Sequence, residues 1–498
     1  MRRSVLMLVG VVSLLVGSGC VGGPQGGDVP TLKRLVVAAT AEPPSMDPTS
    51  NPAAAGPQVM LYNVYETLVK LDSEGHLRPL LAQEWNVSPD RRTYTFSLNP
   101  AAKFASGGAV TAEAVVASIR RIQTDNVSSV LTTQMSVVQE AMATNSGTVT
   151  VTLNRPSNNW LYDMSSTAGM VFDPAGMTAI AEKTAGSGPF RLKSWSRGQN
   201  VILEKNPNYW GTPARFDEVT FRYFADPNAM NAAMLAGDID VISNLQAPDA
   251  LAQFADPARF QVINGTTNGE VVLGLNHNSK VLKSLKVRQA ITRAIDRQAL
   301  IDTVWNGEGT LIGSMAVPTD PWYEDLTAIN AFDPTKAKEL LKQADVGSPT
   351  LRLRVPTLPY AVKSAQFVAS QLKDAGFKVV IDELEFPSRW LDVVYTKSDY
   401  DLTIVAHVEP RDIGKFADKS YYWHYDNPTF VAQIAAADRA SEAESVTLTQ
   451  AAARTLAEDA AAVWLFCLPN LQVSRVGITG IGLNATTLSF DLTTIASK

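Results

Sequence analysis

"LRLRVPTLPYAVKSAQFVASQLKDAGFKVVIDELEF" (351–386) carries the alternation that decides the fold class. "LRLRV" (351–355) alternates apolar and charged residues at strand period. The residues after it place Ala361, Ala365, Val368 and Leu372 on one helical stripe. Gly376 then supplies a stop, because glycine accepts the left-handed backbone that ends helices. "FKVVIDELEF" (377–386) returns to strand spacing, and "YDLTIVAH" (400–407) reads as another strand after a further short helix. Strands separated by helices predict an α/β architecture with a parallel or mixed sheet. In such sheets ligands sit outside the carboxyl ends of the strands.

The same rhythm extends toward the N-terminus. In "KVRQAITRAIDRQALIDTVW" (286–305), Val287, Ala290, Ile291, Ala294 and Ile295 share a helical face, and Asp296 is placed to cap the turn carrying Leu300, Ile301 and Val304. "AGDIDV" (236–241) reads as a helix end stopped by Gly237 and followed by a strand. "TYTFSL" (93–98) and "TVTVTL" (148–153) are strands that enclose a helix N-capped by Thr111, with Glu113 in its first turn. A strand–helix–strand insertion of that size predicts a small lobe. No short-period repeat or long low-complexity segment follows residue 33.

A chain of 498 residues exceeds one core and predicts two or three lobes. The net charge of -6 gives no electrostatic footprint for nucleic acid. Arg2 and Arg3 precede "VLMLVGVVSLLV" (5–16), which is too short to span a bilayer and reads as the apolar part of a signal peptide, residues 1–20. "GSGC" (17–20) resembles a bacterial lipobox with Gly17 where Leu is common, which makes Cys20 the expected lipidation site. The Gly/Pro-rich residues 21–33 predict a flexible tether. With Cys20 lipidated, Cys467 in "VWLFCLP" stands alone as a small core residue, and no internal disulfide is expected.

The chemistry-bearing stretch is "AHVEPRDIG" (406–414), directly after a strand. His407, Glu409, Arg411 and Asp412 surround Pro410 there, at the kind of strand end where pockets form. A local alternative has Glu409 and Arg411 as a loop ion pair, Asp412 as a cap and His407 as a half-buried, satisfied ring. "DKSYYWHYDNP" (418–428) adds Tyr422 and Trp423 as residues that line the cleft or pack beneath it. No phosphate loop, H-E-x-x-H, C-x-x-C or G-x-S-x-G pattern occurs, so neither catalysis, a cofactor nor a bound metal is expected.

Several stretches together resemble the large solute-binding proteins of peptide-type ABC importers, extracellular family 5, with dipeptide-, oligopeptide- and nickel-binding members. They are "YNVYETLVKLDSEGHLRPLLAQEW" (62–85), "TYTFSLNPAAKFASGGAVTAEAVVASIRR" (93–121), "GSGPFRLKSWSRGQNVILEKNPNYW" (186–210), "AMLAGDIDVI" (233–242), "LKVRQAITRAIDRQALI" (285–301) and "FDPTKAKELLKQA" (332–344). Most read as turns, caps and aromatic anchors that identify the fold and say little about cargo. The resemblance implies a bilobal periplasmic-binding-protein clamp (type II, cluster C-like) with an extra small inserted domain. Lobe 1 would comprise 34–78, the inserted domain 79–185, then 186–275 and a return at 470–498; lobe 2 would be 276–469. The hinge would lie near "LGLNHN" (273–278) and "LPNLQV" (468–473).

The resemblance also implies a monomeric, lipid-anchored receptor on the outer face of the cytoplasmic membrane. It would pass a peptide or peptide-like solute to a permease driven by a cytoplasmic ATPase. Family peptide binders often place an aromatic residue and then an Asp in the loop after this strand, and some place an Arg within the strand. Here His407, Pro410 and Ile404 occupy those positions. Glu409 or Asp412 is then left to hold a cation, and Arg411 an anion. A metal complex or haem held by His407, His424 and Glu409, another polar solute, and a non-transporting clamp that binds an envelope protein remain alternatives.

Overall fold

Strand period, helix caps and two close-packed glycines account for most of the architecture. A computed structural model describes residues 33–124, 127–245 and 247–498. The expected signal peptide, the expected lipidation site Cys20 and nearly all of the expected tether lie outside the described residues. Among those described, no helix is long and apolar enough to cross a membrane.

The opening stretch folds as strand Thr350–Pro356, helix Pro359–Asp374 and strand Lys378–Leu384, and the two strands pair in parallel. Ala361, Ala365, Val368 and Leu372 are all fully buried, or nearly so, against the sheet. Asp296 caps its helix by accepting from Ala299 N at 3.0 Å, and Gly237 ends another in the left-handed region at φ +86°. The mixed ten-stranded sheet runs, edge to edge, Lys378–Leu384, Thr350–Pro356, Leu402–His407, Phe260–Leu275, Ala462–Arg475, Val241–Ile242, Arg34–Ala39, Glu218–Tyr223, Asn200–Lys205 and Phe190–Ser196.

Two long antiparallel strands connect the halves of this sheet. Glu270–Leu275 pairs with Leu402–His407, while Val473 and Ser474 pair with Val241–Ile242. Register between the long strands slips between Thr266 and Glu270, opposite Cys467–Pro469. The expected crossing segments 273–278 and 468–473 overlap this pair, and the irregularity itself lies a few residues earlier in the first strand.

The insertion forms a separate four-stranded antiparallel sheet, ordered Ala82–Val87, Thr93–Leu98, Thr148–Leu153 and Val138–Asn145, with helix Ala112–Ile122 packed on it. Tyr94, Phe96, Val149 and Val151 face its core together with fully buried Trp160. Tyr94 and Trp160 meet edge to face at 4.8 Å.

The family-like motifs converge on one buried carboxylate. Glu66 accepts from Ser187 Oγ at 2.8 Å, Trp210 Nε1 at 2.9 Å and Tyr209 Oη at 3.0 Å. Burial pushes its pKa up to about 7, and the three donors oppose the rise. Gly186 and Gly188 lie so close to this backbone that a Cβ would meet Val64 O at 1.9 Å and Asn63 O at 2.4 Å. "YET", "GSGP" and "NYW" therefore hold one another in place.

Candidate ligand-binding site

Strand Leu402–His407 delivers the loop that follows it to the edge of a cavity of about 580 Å³, a size suited to a small ligand. One wall comes from the inserted domain and its neighbours, with Gln134, Tyr162 and Asp163. The other comes from Tyr395, the 409–418 loop and helix Pro428–Arg439.

The six expected site residues divide into two groups. Glu409, Arg411 and Asp412 line the cavity, as does Pro410. His407, Tyr422 and Trp423 are buried beneath it, and Tyr421 reaches the cavity from their loop instead. Trp423 stacks on Phe416 at 4.0 Å between ring centres and lies 4.7 Å from His407. His407 Nε2 bonds the Tyr422 hydroxyl at 2.9 Å. Burial, with help from Lys415, pulls the His407 pKa down to about 3, so the ring is neutral at pH 7. Ile404 is fully buried in the core on the helix side of its strand.

The local pairing differs from a Glu409–Arg411 bridge. Glu409 lies 3.7 Å from Lys415 Nζ. Burial disfavours the Lys415 ammonium, but the Glu409 and Asp412 charges outweigh it and raise its pKa. Arg411 begins the short helix Asp412–Ala417 from a left-handed conformation, φ +60°. Its guanidinium sits 3.5 Å from the Tyr162 ring centre and 4.7 Å from that of Trp322. No ion pair to Arg411 occurs among the described residues. Its fork is therefore stacked in place, beside the cavity, without a carboxylate partner.

Acidic groups complete the rim. Asp163 accepts from Gln134 Nε2 at 2.9 Å, and burial raises its pKa to about 8 with Lys415 opposing the rise. Asp412 is 5% exposed, and its Oδ2 has no hydrogen-bond partner among the described residues. Among the described residues no three His, Cys, Asp or Glu side chains are grouped to hold a metal ion. His424 Nε2 instead bonds Ser398 Oγ at 2.9 Å, away from His407.

Helix Pro428–Arg439 grips the opposite wall through its last turn. Asp438 accepts from Ser157 Oγ at 2.8 Å, Asn159 N at 3.0 Å and the Arg155 guanidinium. Asn158 Nδ2 donates to Ala437 O at 2.8 Å and Ala440 O at 3.0 Å. Hydrogen bonds to a charged group are each worth about 1.5–3 kcal/mol. Asp438→Ala is therefore expected to loosen the closed arrangement, enlarge the solute-free radius of gyration in small-angle scattering and weaken solute binding roughly tenfold. Unchanged scattering would remove this contact from the closing mechanism.

Tyr162, Asp163, Asn158, Trp322, Lys415 and Asp438 were not singled out from the sequence. "NNWLYD" (158–163) has no recognisable motif, and its role exists only once the two walls face each other.

This is the geometry of a solute-binding clamp: a cavity of mixed apolar and charged lining, walled by elements on both sides of a two-strand crossing. The chain belongs to the bacterial extracellular solute-binding proteins, family 5, whose model matches residues 76–425. It is a solute-binding protein rather than an enzyme. It is 29% identical over 319 residues to the probable D,D-dipeptide-binding periplasmic protein DdpA of Escherichia coli K12; that match covers 61% of this chain and 61% of the relative. It is 27% identical to the glutathione-binding protein GsiB of Pectobacterium atrosepticum, over 76% of this chain and 74% of the relative. The fold matches that of AgaA from A. tumefaciens R10, solved with agropinic acid, at a TM-score of 0.82 and 24% identity, covering 93% of this chain and 99% of that one.

Proposed function

We propose that this protein captures a peptide-like solute between two lobes and delivers it to the membrane permease of an ABC importer, with a cytoplasmic ATPase driving uptake. Residues 34–275 and 470–498, including the insertion at 79–185, form lobe 1 in this reading, and 276–469 form lobe 2. The register slip at Thr266–Glu270 supports a hinge in the two crossing strands. The observation that carries the reading is the roughly 580 Å³ cavity with an unpaired, stacked Arg411 beside the acidic Asp412, Glu409 and Asp163. A solute with a carboxylate and an ammonium group satisfies both: Arg411 takes the carboxylate through its fork, and the acids take the ammonium. The relatives named for a D,D-dipeptide and for glutathione support a peptide-like solute. The apolar run before Cys20 and the tether after it support an exported lipoprotein at the outer face of the cytoplasmic membrane.

A thermal-shift panel of peptides, free metal ions, haem and sugars tests the reading. A bound peptide at ~100 times its dissociation constant adds about 2.7 kcal/mol of stability. A shift with haem or a metal alone overturns the peptide assignment, and no shift with any solute favours a clamp that binds a protein partner. Cys20→Ala is expected to move the protein from the membrane fraction to the soluble one.

A further inference from the structure

The solute-binding reading uses Asp412 but leaves the carboxylate behind it unexplained. Glu270 sits where register slips in the crossing strands, opposite His407 on one side and Cys467 on the other. It is 3% exposed, and its Oε2 has no hydrogen-bond partner among the described residues. The titratable groups around it among the described residues are His407 opposite it on the paired strand, Asp412 from the ligand loop, Asp320 from the loop before Trp322, and Cys467 from the neighbouring strand; burial keeps His407 neutral, and the others are acids. Asp412 in turn faces Glu409 and Lys415 of its own loop, Asp320, the Tyr421 and Tyr422 hydroxyls and His407, whose Nδ1 is 3.6 Å from Asp412 Oδ2. That imidazole is neutral, so among the described residues Lys415 is the cation acting on Asp412, and it is already paired with Glu409.

We propose that Glu270 and Asp412 share one proton in the solute-free protein and that a cationic group on the solute displaces it. Both carboxylates adjoin His407, Glu270 across the strand pair and Asp412 at 3.6 Å, and each keeps one buried oxygen without a partner among the described residues. Two such neighbouring carboxylates do not both ionise, because each charge opposes the other in a medium of low dielectric constant. Burial first, and then the Asp412 charge, raises the Glu270 pKa well above the carboxylate range; burial and the Glu409 charge do the same for Asp412. Asp412 lines the cavity and Glu270 lies behind it at the crossing strands. An ammonium arriving at Asp412 supplies the positive charge that the proton supplied before. The pair then carries two negative charges, and one proton leaves to solvent for each solute bound. This step rests on the proposed solute reading, whereas the shared proton does not.

The solute-free half is tested by stability against pH. A carboxyl whose pKa is higher in the fold keeps its proton while the unfolded chain gives it up. Stability therefore falls as pH rises from the ordinary carboxylate range toward the raised folded value. Chemical denaturation of the wild type, Glu270→Gln, Asp412→Asn and the double variant between acidic and mildly alkaline pH should show a shallower decline in both single variants. The double variant should gain no more than either single one, since one proton is at stake. Parallel pH dependence in wild type and Glu270→Gln overturns the shared proton.

The exchange half uses an equimolar mixture of free tripeptides and the same mixture N-acetylated. Calorimetry at neutral pH in buffers of different ionisation enthalpy reads the proton count. Release near one proton per free peptide, absent in Glu270→Gln, is the expected result. Equal binding of the acetylated mixture, or binding without release, overturns the exchange. Binding of neither mixture refutes the peptide reading and the exchange with it, while the pH series still decides the shared proton.

Discussion

Arg411→Asn is expected to lower solute affinity about a hundredfold, or roughly 2.7 kcal/mol. Asparagine removes the guanidinium yet suits the left-handed backbone at this position, so the loop keeps its course. Two losses combine. The fork that would hold the solute carboxylate disappears, and so does its stacking on Tyr162 of the opposite wall and on Trp322. Each exposed cation–π contact is worth ~0.5–1 kcal/mol, and more once water is excluded. Arg411→Lys should recover only part of the affinity, because an ammonium neither forks nor stacks as a plane. Calorimetric titration with the peptide identified by the thermal panel measures both. Equal affinity of Arg411→Asn and wild type would assign the stacked arginine to structure alone.

Trp423→Ala is expected to cost about 3–5 kcal/mol of stability, in the range of a buried aromatic truncated in a core. The side chain is 1% exposed and packs on Phe416, His407 and Tyr421. Its removal leaves a void beneath the loop that carries Glu409 to Asp412. Trp423→Phe, which keeps most of the apolar volume, should bind solute with close to wild-type affinity. Guanidinium denaturation and a binding titration on the same samples separate the two effects. A weakened Trp423→Phe with undiminished stability would return Trp423 to the ligand surface.

The sequence disclosed the fold more fully than the site, for physical reasons visible at single residues. Strand period placed Tyr94, Phe96, Val149 and Val151 on buried faces, and helix period did the same for Ala361 through Leu372. Thr111 and Asp296 announced their helices because a cap needs only a side chain and the next turn's amides. That the loop after strand Leu402–His407 lines a cavity was also legible, since strands of such sheets end at clefts. Which of its side chains face the cavity was not. His407 and Trp423 look like binding groups in isolation, and only the stacking of Trp423 on Phe416, with His407 packed against Trp423, shows why both turn inward. Arg411 was legible as a charge, but its setting depends on Tyr162 and Trp322 from distant segments. Glu270 gave no signal at all in its strand, because its setting opposite His407 and near Asp412 exists only in the tertiary fold.

The central claim is that the cavity between the walls holds a peptide-like solute. Native mass spectrometry of protein purified without refolding tests it most directly. The predicted spectrum contains the protein with a ladder of co-purified peptide masses, and Arg411→Asn protein prepared in parallel carries far less of it. A single haem or metal-complex mass in the wild type, or an identical ladder in the variant, would contradict the account.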